Sequence, residues 1–205
     1  MAAVSHAPSS RPASAPSPTV RTIRVWDPVV RLFHWLMAAG FVANMFVLEE
    51  GKRLHRWAGY AILAAIAVRL IWGFIGPVHA RFSDFVPAPR RLLIYSKALL
   101  ARREPRYVGH NPAAAVMMAA LVGLMVLCGV TGWMQGLDAY WGVKWVRELH
   151  EATANAILML AGLHVAAAIV ESVRHRENLV WSMITGRKRA PSGDDVVHAP
   201  ASGRG

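Results

Sequence analysis

Four apolar stretches, at roughly 29–48, 54–75, 113–133 and 149–173, each reach the ~20 residues a helix needs to cross a bilayer. Lipid offers no partners to backbone N–H and C=O groups, so such stretches have to close their hydrogen bonds internally, as helices. Within 205 residues they leave no room for a second large domain. The expected fold is an all-α membrane protein, a bundle of four transmembrane helices running up-down-up-down. The first ~20 residues are rich in Ala, Ser and Pro (Pro8, Pro12, Pro16, Pro18) and lack the apolar core of a cleaved secretory signal. Residues 1–22 and 190–205 are therefore expected to be disordered tails flanking a membrane domain at 23–189.

The formal net charge of +11 could suggest a nucleic-acid partner, but its placement argues against one. The loop between segments two and three carries Arg81, Arg90, Arg91, Lys97, Arg102, Arg103 and Arg106. The C-terminal region adds Arg174, Arg176, Arg187, Lys188 and Arg189, and the N-terminal region Arg11, Arg21 and Arg24. The two opposite loops hold only Lys52, Arg53, Arg56, Lys144 and Arg147. The positive-inside rule then predicts a multi-pass protein of the bacterial inner membrane with both termini and the long loop in the cytoplasm. The basic excess serves topology and contact with anionic lipid headgroups, and no nucleic-acid partner is expected.

Local signals place the helices. Asp27-Pro28 and Asn111-Pro112 pair a capping residue with a proline at the first helical position, which marks the starts of segments one and three. Glu49-Glu50-Gly51 leaves little chain between segments one and two, predicting a tight hairpin. Within the long loop, residues 89–103 put Leu92, Leu93, Leu99 and Leu100 on one side and most of their basic residues elsewhere, as in a helix lying in the cytoplasmic interface. The loop at 134–148 holds Trp141 and Trp145, residue types common at a membrane–water boundary.

A single cysteine, Cys128, excludes a disulfide framework, covalent haem attachment through CxxCH and a four-cysteine iron–sulfur cluster; it reads as a packing residue. Any cofactor must then be held by histidines, of which there are nine. His6 and His198 lie in the polar tails, and His175 follows the last segment among arginines. His79 lies in the long loop, and His110 is placed for capping or for contact with a cofactor carboxylate. The other four lie in apolar spans, where an ionisable side chain is costly and signals function. His150 and His164 are fourteen residues apart on segment four. That is two heptads, so both leave nearly the same face, roughly 21 Å apart along the axis. Topology pairs them by depth: His34 on segment one with His164, and His55 on segment two with His150. Four imidazoles at two depths suit the axial ligation of two stacked haem groups.

Small residues near these positions, Ala154, Ala161, Gly59 and Gly40, would let a flat macrocycle lie against a helix; membrane helices also use such residues to pack on one another. Arg69 lies fourteen residues after His55, at the depth of the His34/His164 pair. It has two readings that stand side by side: an ion pair with a haem propionate, or snorkelling to the interface.

The chain resembles the bacterial cytochrome b561 family, which includes the b-type cytochrome subunits of nickel–iron hydrogenases. The resemblance is carried by VWDPVVRLFHW at 25–35, LHRWAGY at 54–60, RLIWGFIGP at 69–77, RYVGHNP at 106–112, ELHE at 148–151, LHV at 163–165 and ENLVWSMITGRKR at 177–189. It implies two non-covalent haem b groups with axial ligands at His34, His55, His150 and His164. It also implies electron exchange with membrane quinone and with a redox partner, such as a periplasmic c-type cytochrome or an oxidoreductase of the hydrogenase type. The chain would then act in a respiratory chain as an electron-transfer cytochrome, the subunit through which a quinone oxidoreductase works. Two other classes of function are weighed against this: a metal-ion transporter using the same histidines, and a haemless anchor that docks a redox subunit.

Overall fold

The computed structural model describes residues 21–197; of the tails expected at 1–22 and 190–205, residues 1–20 and 198–205, with His6 and His198, lie outside the described residues. The described chain is mostly helical. Four helices are long and apolar enough to cross a membrane: α1 (Pro28–Phe46), α2 (Arg53–Ile75), α5 (Pro112–Met134) and α6 (Lys144–Arg174). Between α2 and α5 lie a short helix α3 (Phe82–Phe85) and a longer one, α4 (Pro89–Leu100); α7 (Leu179–Thr185) follows α6. Strands β1 (Thr22–Arg24) and β2 (Arg187–Arg189) pair antiparallel, with Ile23 opposite Lys188.

The starts of α1 and α5 follow from their caps. Asp27 accepts hydrogen bonds from the amides of Val29 (2.9 Å) and Val30 (3.2 Å), and Asn111 accepts one from Ala114 (2.7 Å), each relieving free N–H groups of a first turn. The helix at α6 begins five residues earlier than its apolar run, at Lys144. Its extra turns are amphiphilic, and the pairs Lys144–Glu148 and Arg147–Glu151 at i,i+4 support them; Trp145 thus belongs to a helix and not to a loop. In α4 the leucines occupy two faces. Leu93 and Leu100 are exposed, whereas Leu92 and Leu99 are half-buried beside the buried Tyr95. Each Leu-Leu doublet spans about 100° of helix, so only one member can turn inward.

The backbone packs as a series, α1 on α2, α2 on α5 and α5 on α6. Met37, Ile62 and Ile66 form the core between α1 and α2, closed from α5 by Val122, Met125 and Val126. The flank of α6 toward the α1–α2 hairpin makes no comparable backbone contact, which leaves room along it for side chains to meet. Large apolar residues such as Trp57, Val68, Ile71, Phe74, Met159, Leu163 and Ile169 point outward, as they would toward lipid.

The two ends of the helices are built differently. One end gathers α3, α4, α7 and the β1–β2 ladder. The amides of Val25 and Trp26 donate to Gly186 O (2.9 and 3.1 Å), and Trp72 Nε1 donates to Asp27 (3.2 Å). Gly186, at φ 78°, ends α7 in the left-handed region and turns the chain into β2. The placed chain also runs past the expected tail boundary at 190. The amide of Val196 donates to Arg106 O (2.9 Å) and Val108 donates to Val196 O (2.9 Å), so residues 191–196 return across this end. The other end consists of the turns at 47–52 and 135–143.

Candidate functional site

The structure brings the four apolar-span histidines together in two pairs. His34 on α1 faces His164 on α6, with ring centres 6.4 Å apart and planes inclined at 51°. His55 on α2 faces His150 on α6 at 6.2 Å and 65°. Two imidazoles bound in line to one metal ion have ring centres about 6 Å apart, given about 2 Å for each metal–nitrogen bond. Both pairs fit that spacing without moving a helix. A closed tetrahedral site would need further donors. Among the described residues the only cluster of three or more such donors is Glu104, Glu171 and His175, and it contains none of the four. The donor set is thus two imidazole nitrogens per site, which suits the two axial positions of a haem iron.

The environment of His150 adds a feature that the sequence did not disclose. Its Nδ1 lies 2.9 Å from Cys128 O, a carbonyl that can only accept; the Nδ1 therefore carries the proton and the Nε2 lone pair is free for a metal. This contact depends on Gly132. A Cβ there would lie 3.0 Å from His150 Cε1, so the missing side chain lets the imidazole reach the carbonyl one turn back. The Thr131 hydroxyl donates to Leu127 O (2.8 Å) and Cys128 O (3.0 Å) in the same turn. The visible signal was only a run of small residues around Cys128, which on a membrane helix usually means packing. By contrast, the Nδ1 atoms of His34 and His55 are buried without a hydrogen-bond partner among the described residues.

Gly40 turns out to serve packing. Its Cβ would lie 3.1 Å from Ile62 side-chain atoms, so it brings α1 against α2. At Gly59, one turn past His55, a Cβ would meet nothing within 4 Å. Ile157, between the two histidines of α6, is fully buried.

Arg69 is only 5 % exposed. Its Nη2 donates to Ala80 O (3.1 Å) and its guanidinium carbon lies 5.3 Å from the centre of the Phe82 ring. Its Nη1 is buried with no partner among the described residues. A buried guanidinium with a spare donor fits a carboxylate ligand, such as a propionate, better than it fits snorkelling, which would put the head in water.

The remaining described histidines are engaged elsewhere. His79 Nδ1 lies 3.2 Å from Asp84, and His175 Nε2 lies 3.3 Å from Glu171. His110 packs its ring against Trp26 with centres 4.6 Å apart, while the cap of α5 is provided by Asn111. Burial, with the charges of Arg69 and Lys188 nearby, pushes the His110 imidazole down to about 3, so it is neutral.

Above this end lies a buried ion network. Arg106 donates to both Glu177 oxygens (2.9–3.1 Å), to Asp195 Oδ2 (2.6 Å) and to Arg189 O (2.9 Å). Lys188 donates to Tyr107 O (3.2 Å) and stands 3.6 Å from Glu177 and 5.8 Å from the Trp26 ring centre. Burial pushes the Lys188 ammonium down, and Glu177 offsets only part of that.

Residues 25–186 match the family described as prokaryotic cytochrome b561, and the chain belongs to that family of b-type cytochromes. It is 24% identical to a probable Ni/Fe-hydrogenase B-type cytochrome subunit of Bradyrhizobium diazoefficiens, covering 82% of this chain and 86% of the relative. The corresponding protein of Rhodobacter capsulatus is 25% identical over 82% and 81% of the two chains, and that of Cupriavidus necator 26% over 85% and 90%. No solved structure matches the chain significantly. Membership places the chain among membrane electron-transfer proteins that carry haem b.

Proposed function

We propose that this chain carries electrons across the bacterial inner membrane on two haem b groups, one held by His34 and His164 and the other by His55 and His150. The observation that carries the reading is the pair of imidazole separations, 6.4 and 6.2 Å, both contributed by α6 and one hairpin helix. Haem b, when bound, supplies a one-electron iron couple. His34 with His164, and His55 with His150, would each hold a group between two imidazoles, an arrangement that would leave no donor position open to an exogenous ligand and would favour outer-sphere exchange. Cys128 O sets the His150 tautomer, and the spare Nη1 donor of Arg69 would hold a propionate at the His34/His164 level.

The helices run up-down-up-down, with both termini and the 76–111 loop in the cytoplasm and α4 in the interface. The basic residues of that loop and of the C-terminal region support this orientation. The electrons pass between membrane quinone and a periplasmic partner, a c-type cytochrome or an oxidoreductase; the relatives' names make a hydrogenase one candidate. A metal-ion transporter is disfavoured by the two-donor sites, and a haemless anchor gives no reason for two facing pairs in apolar helices.

The test is haem content and the reduced-minus-oxidised optical spectrum of the purified protein, followed by reduction with a quinol. Two haems per chain and a bis-imidazole b-type spectrum are expected. A colourless protein, or one haem that survives loss of either pair, overturns the reading.

A further inference from the structure

We infer that the chain biases its two histidine pairs in opposite senses, Arg69 favouring the reduced state at the His34/His164 level and the Cys128 carbonyl favouring the oxidised state at the His55/His150 level. Both effects presuppose that each pair holds a haem b, as proposed above. A ferric bis-imidazole centre carries one more positive charge than its ferrous form. Nearby positive charge therefore raises its midpoint potential, and electron donation through a ligand lowers it.

The cations buried among the described residues are Arg69, Arg106 and Lys188. Arg106 and Lys188 form ion pairs with Glu177, and Arg106 pairs with Asp195 as well. Arg69 instead contacts a carbonyl, Ala80 O, and the Phe82 ring. The carboxylate that acts on it through space is Asp27, whose Oδ1 already accepts from the amides of Val29 and Val30 and from Trp72 Nε1. The charge of Arg69 is thus the least compensated of these, and burial lets it act over a longer range than it would in water. Arg69 and His164 both act on the buried imidazole of His110, so the charge and the ligand share one neighbourhood. A carboxylate of the group that meets the free Nη1 loses the negative charge with which it would stabilise the ferric form.

At the other level the signs reverse. His150 Nδ1 donates to Cys128 O at 2.9 Å, which pushes electron density toward Nε2. The Nδ1 of His34 has no such acceptor among the described residues. The ionised side chain that acts on His55 is a carboxylate, Glu50. Arg53, Arg56 and Arg147 at this end are exposed, where solvent screens them. The exchange between the levels is of one electron, lost at His55/His150 and gained at His34/His164, with no bond made or broken. The electron therefore settles under the loop-rich end.

The test is optical redox titration of the full chain in detergent, with haem counted per chain. His150→Ala and His34→Ala each isolate one centre, and the centre left in His150→Ala should have the higher midpoint. Arg69→Gln in the otherwise unchanged chain should lower the higher midpoint by about 59 mV, a tenfold change in a one-electron equilibrium, and leave the lower one in place. Arg69→Lys, which keeps the charge, should recover most of that shift, whereas a merely structural role for Arg69 would leave both midpoints where they are. Gly132→Ala, which pushes His150 off Cys128 O, should raise the lower midpoint alone. If Arg69→Gln loses a haem, the order of midpoints in His150→Ala and His34→Ala decides. Equal or reversed midpoints there, or an equal shift of both centres in Arg69→Gln, overturn the opposed bias while two haems per chain still uphold the pairs. Fewer than two haems in the wild-type chain overturns the pairs themselves, and the bias with them.

Discussion

The two ends of this helical domain face similar chemistry with different construction. At the loop-rich end, the His34/His164 pair lies under α3, α7, the β1–β2 ladder and a buried network of Arg106, Glu177, Lys188 and Asp195. At the short-turn end, the His55/His150 pair has only two turns above it, and the charges there are exposed pairs, Lys144–Glu148, Arg147–Glu151 and Glu49–Lys52. The first end is tied together by buried ion pairs and closed; the second is open to approach. An electron carrier needs both features, a fixed ligand geometry and a face that another molecule can reach. In the second pair His150 is held from within the helices, through Gly132 and the Cys128 carbonyl, without a cover above it.

The largest expected effect tests whether the ends are independent. His150→Ala should leave one haem per chain, as should His34→Ala, and the two variants should lose different features of the optical spectrum. Loss of both haems from either variant would merge the two ends into one site; retention of both from His150→Ala would remove that residue from the ligand set.

Next in size is the closed cover. Arg106→Gln takes the guanidinium from the part-buried Glu177 and Asp195 but leaves Glu177 the Lys188 ammonium and the Arg189 amide, so the cost falls below the ~3–5 kcal/mol of a fully uncompensated buried charge. It should appear as a lower thermal unfolding midpoint in detergent. Acid should reach the same state. Burial alone would raise the Glu177 carboxyl, but the hydrogen bonds from Arg106 and the charge of Lys188 outweigh it and hold it below its usual range. Asp195 is likewise lowered, burial being outweighed by the Ser192 amide and Arg106. Groups lowered in the folded state stabilise fully above about pH 5 and lose that contribution as pH falls through the folded values. Hydrogen exchange at the Arg189 and Val196 amides should therefore accelerate in acid, while the short-turn end stays protected as before. Equal acceleration at both ends would contradict the proposed division.

These contrasts mark what a reader of the sequence could see. Four apolar runs and the caps at Asp27 and Asn111 are local signals, and the helices begin where those caps place them. The fourteen-residue step from His150 to His164 is a helical period, so a shared face follows from it directly. The network around Arg106 was not legible, because its partners lie 71 and 89 residues away and Asp195 sits in a stretch whose Pro, Ser and Gly content reads as a tail. The same holds for Gly40 and Gly132. Both are small residues on apolar helices, yet one brings α1 onto α2 and the other admits a histidine to a carbonyl; only the packing separates them.

Gly132→Ala is the sharper probe of the open end. The added methyl would stand 3.0 Å from His150 Cε1 and push the ring off Cys128 O. Losing a ligand's supporting hydrogen bond typically costs tenfold or more in metal affinity. About a tenfold faster loss of one haem is expected, with a shifted midpoint potential for that centre alone. Gly40→Ala serves as the packing control: it should lower stability through Ile62 and leave both potentials in place.

The smallest effect is the most diagnostic of openness. Lys144→Gln and Arg147→Gln remove charges from exposed i,i+4 pairs, which contribute about 0.3–0.5 kcal/mol each. Thermal unfolding should hardly move. If this end receives a redox partner, however, the same two substitutions should change the rate of electron exchange with a soluble c-type cytochrome and its dependence on ionic strength, since rim charges act on association. The corresponding exposed charges at the loop-rich end, Arg102 and Arg103, should leave that rate unchanged. A rate that follows Arg102 and Arg103 instead would place the partner over the covered pair and reverse the roles of the two ends.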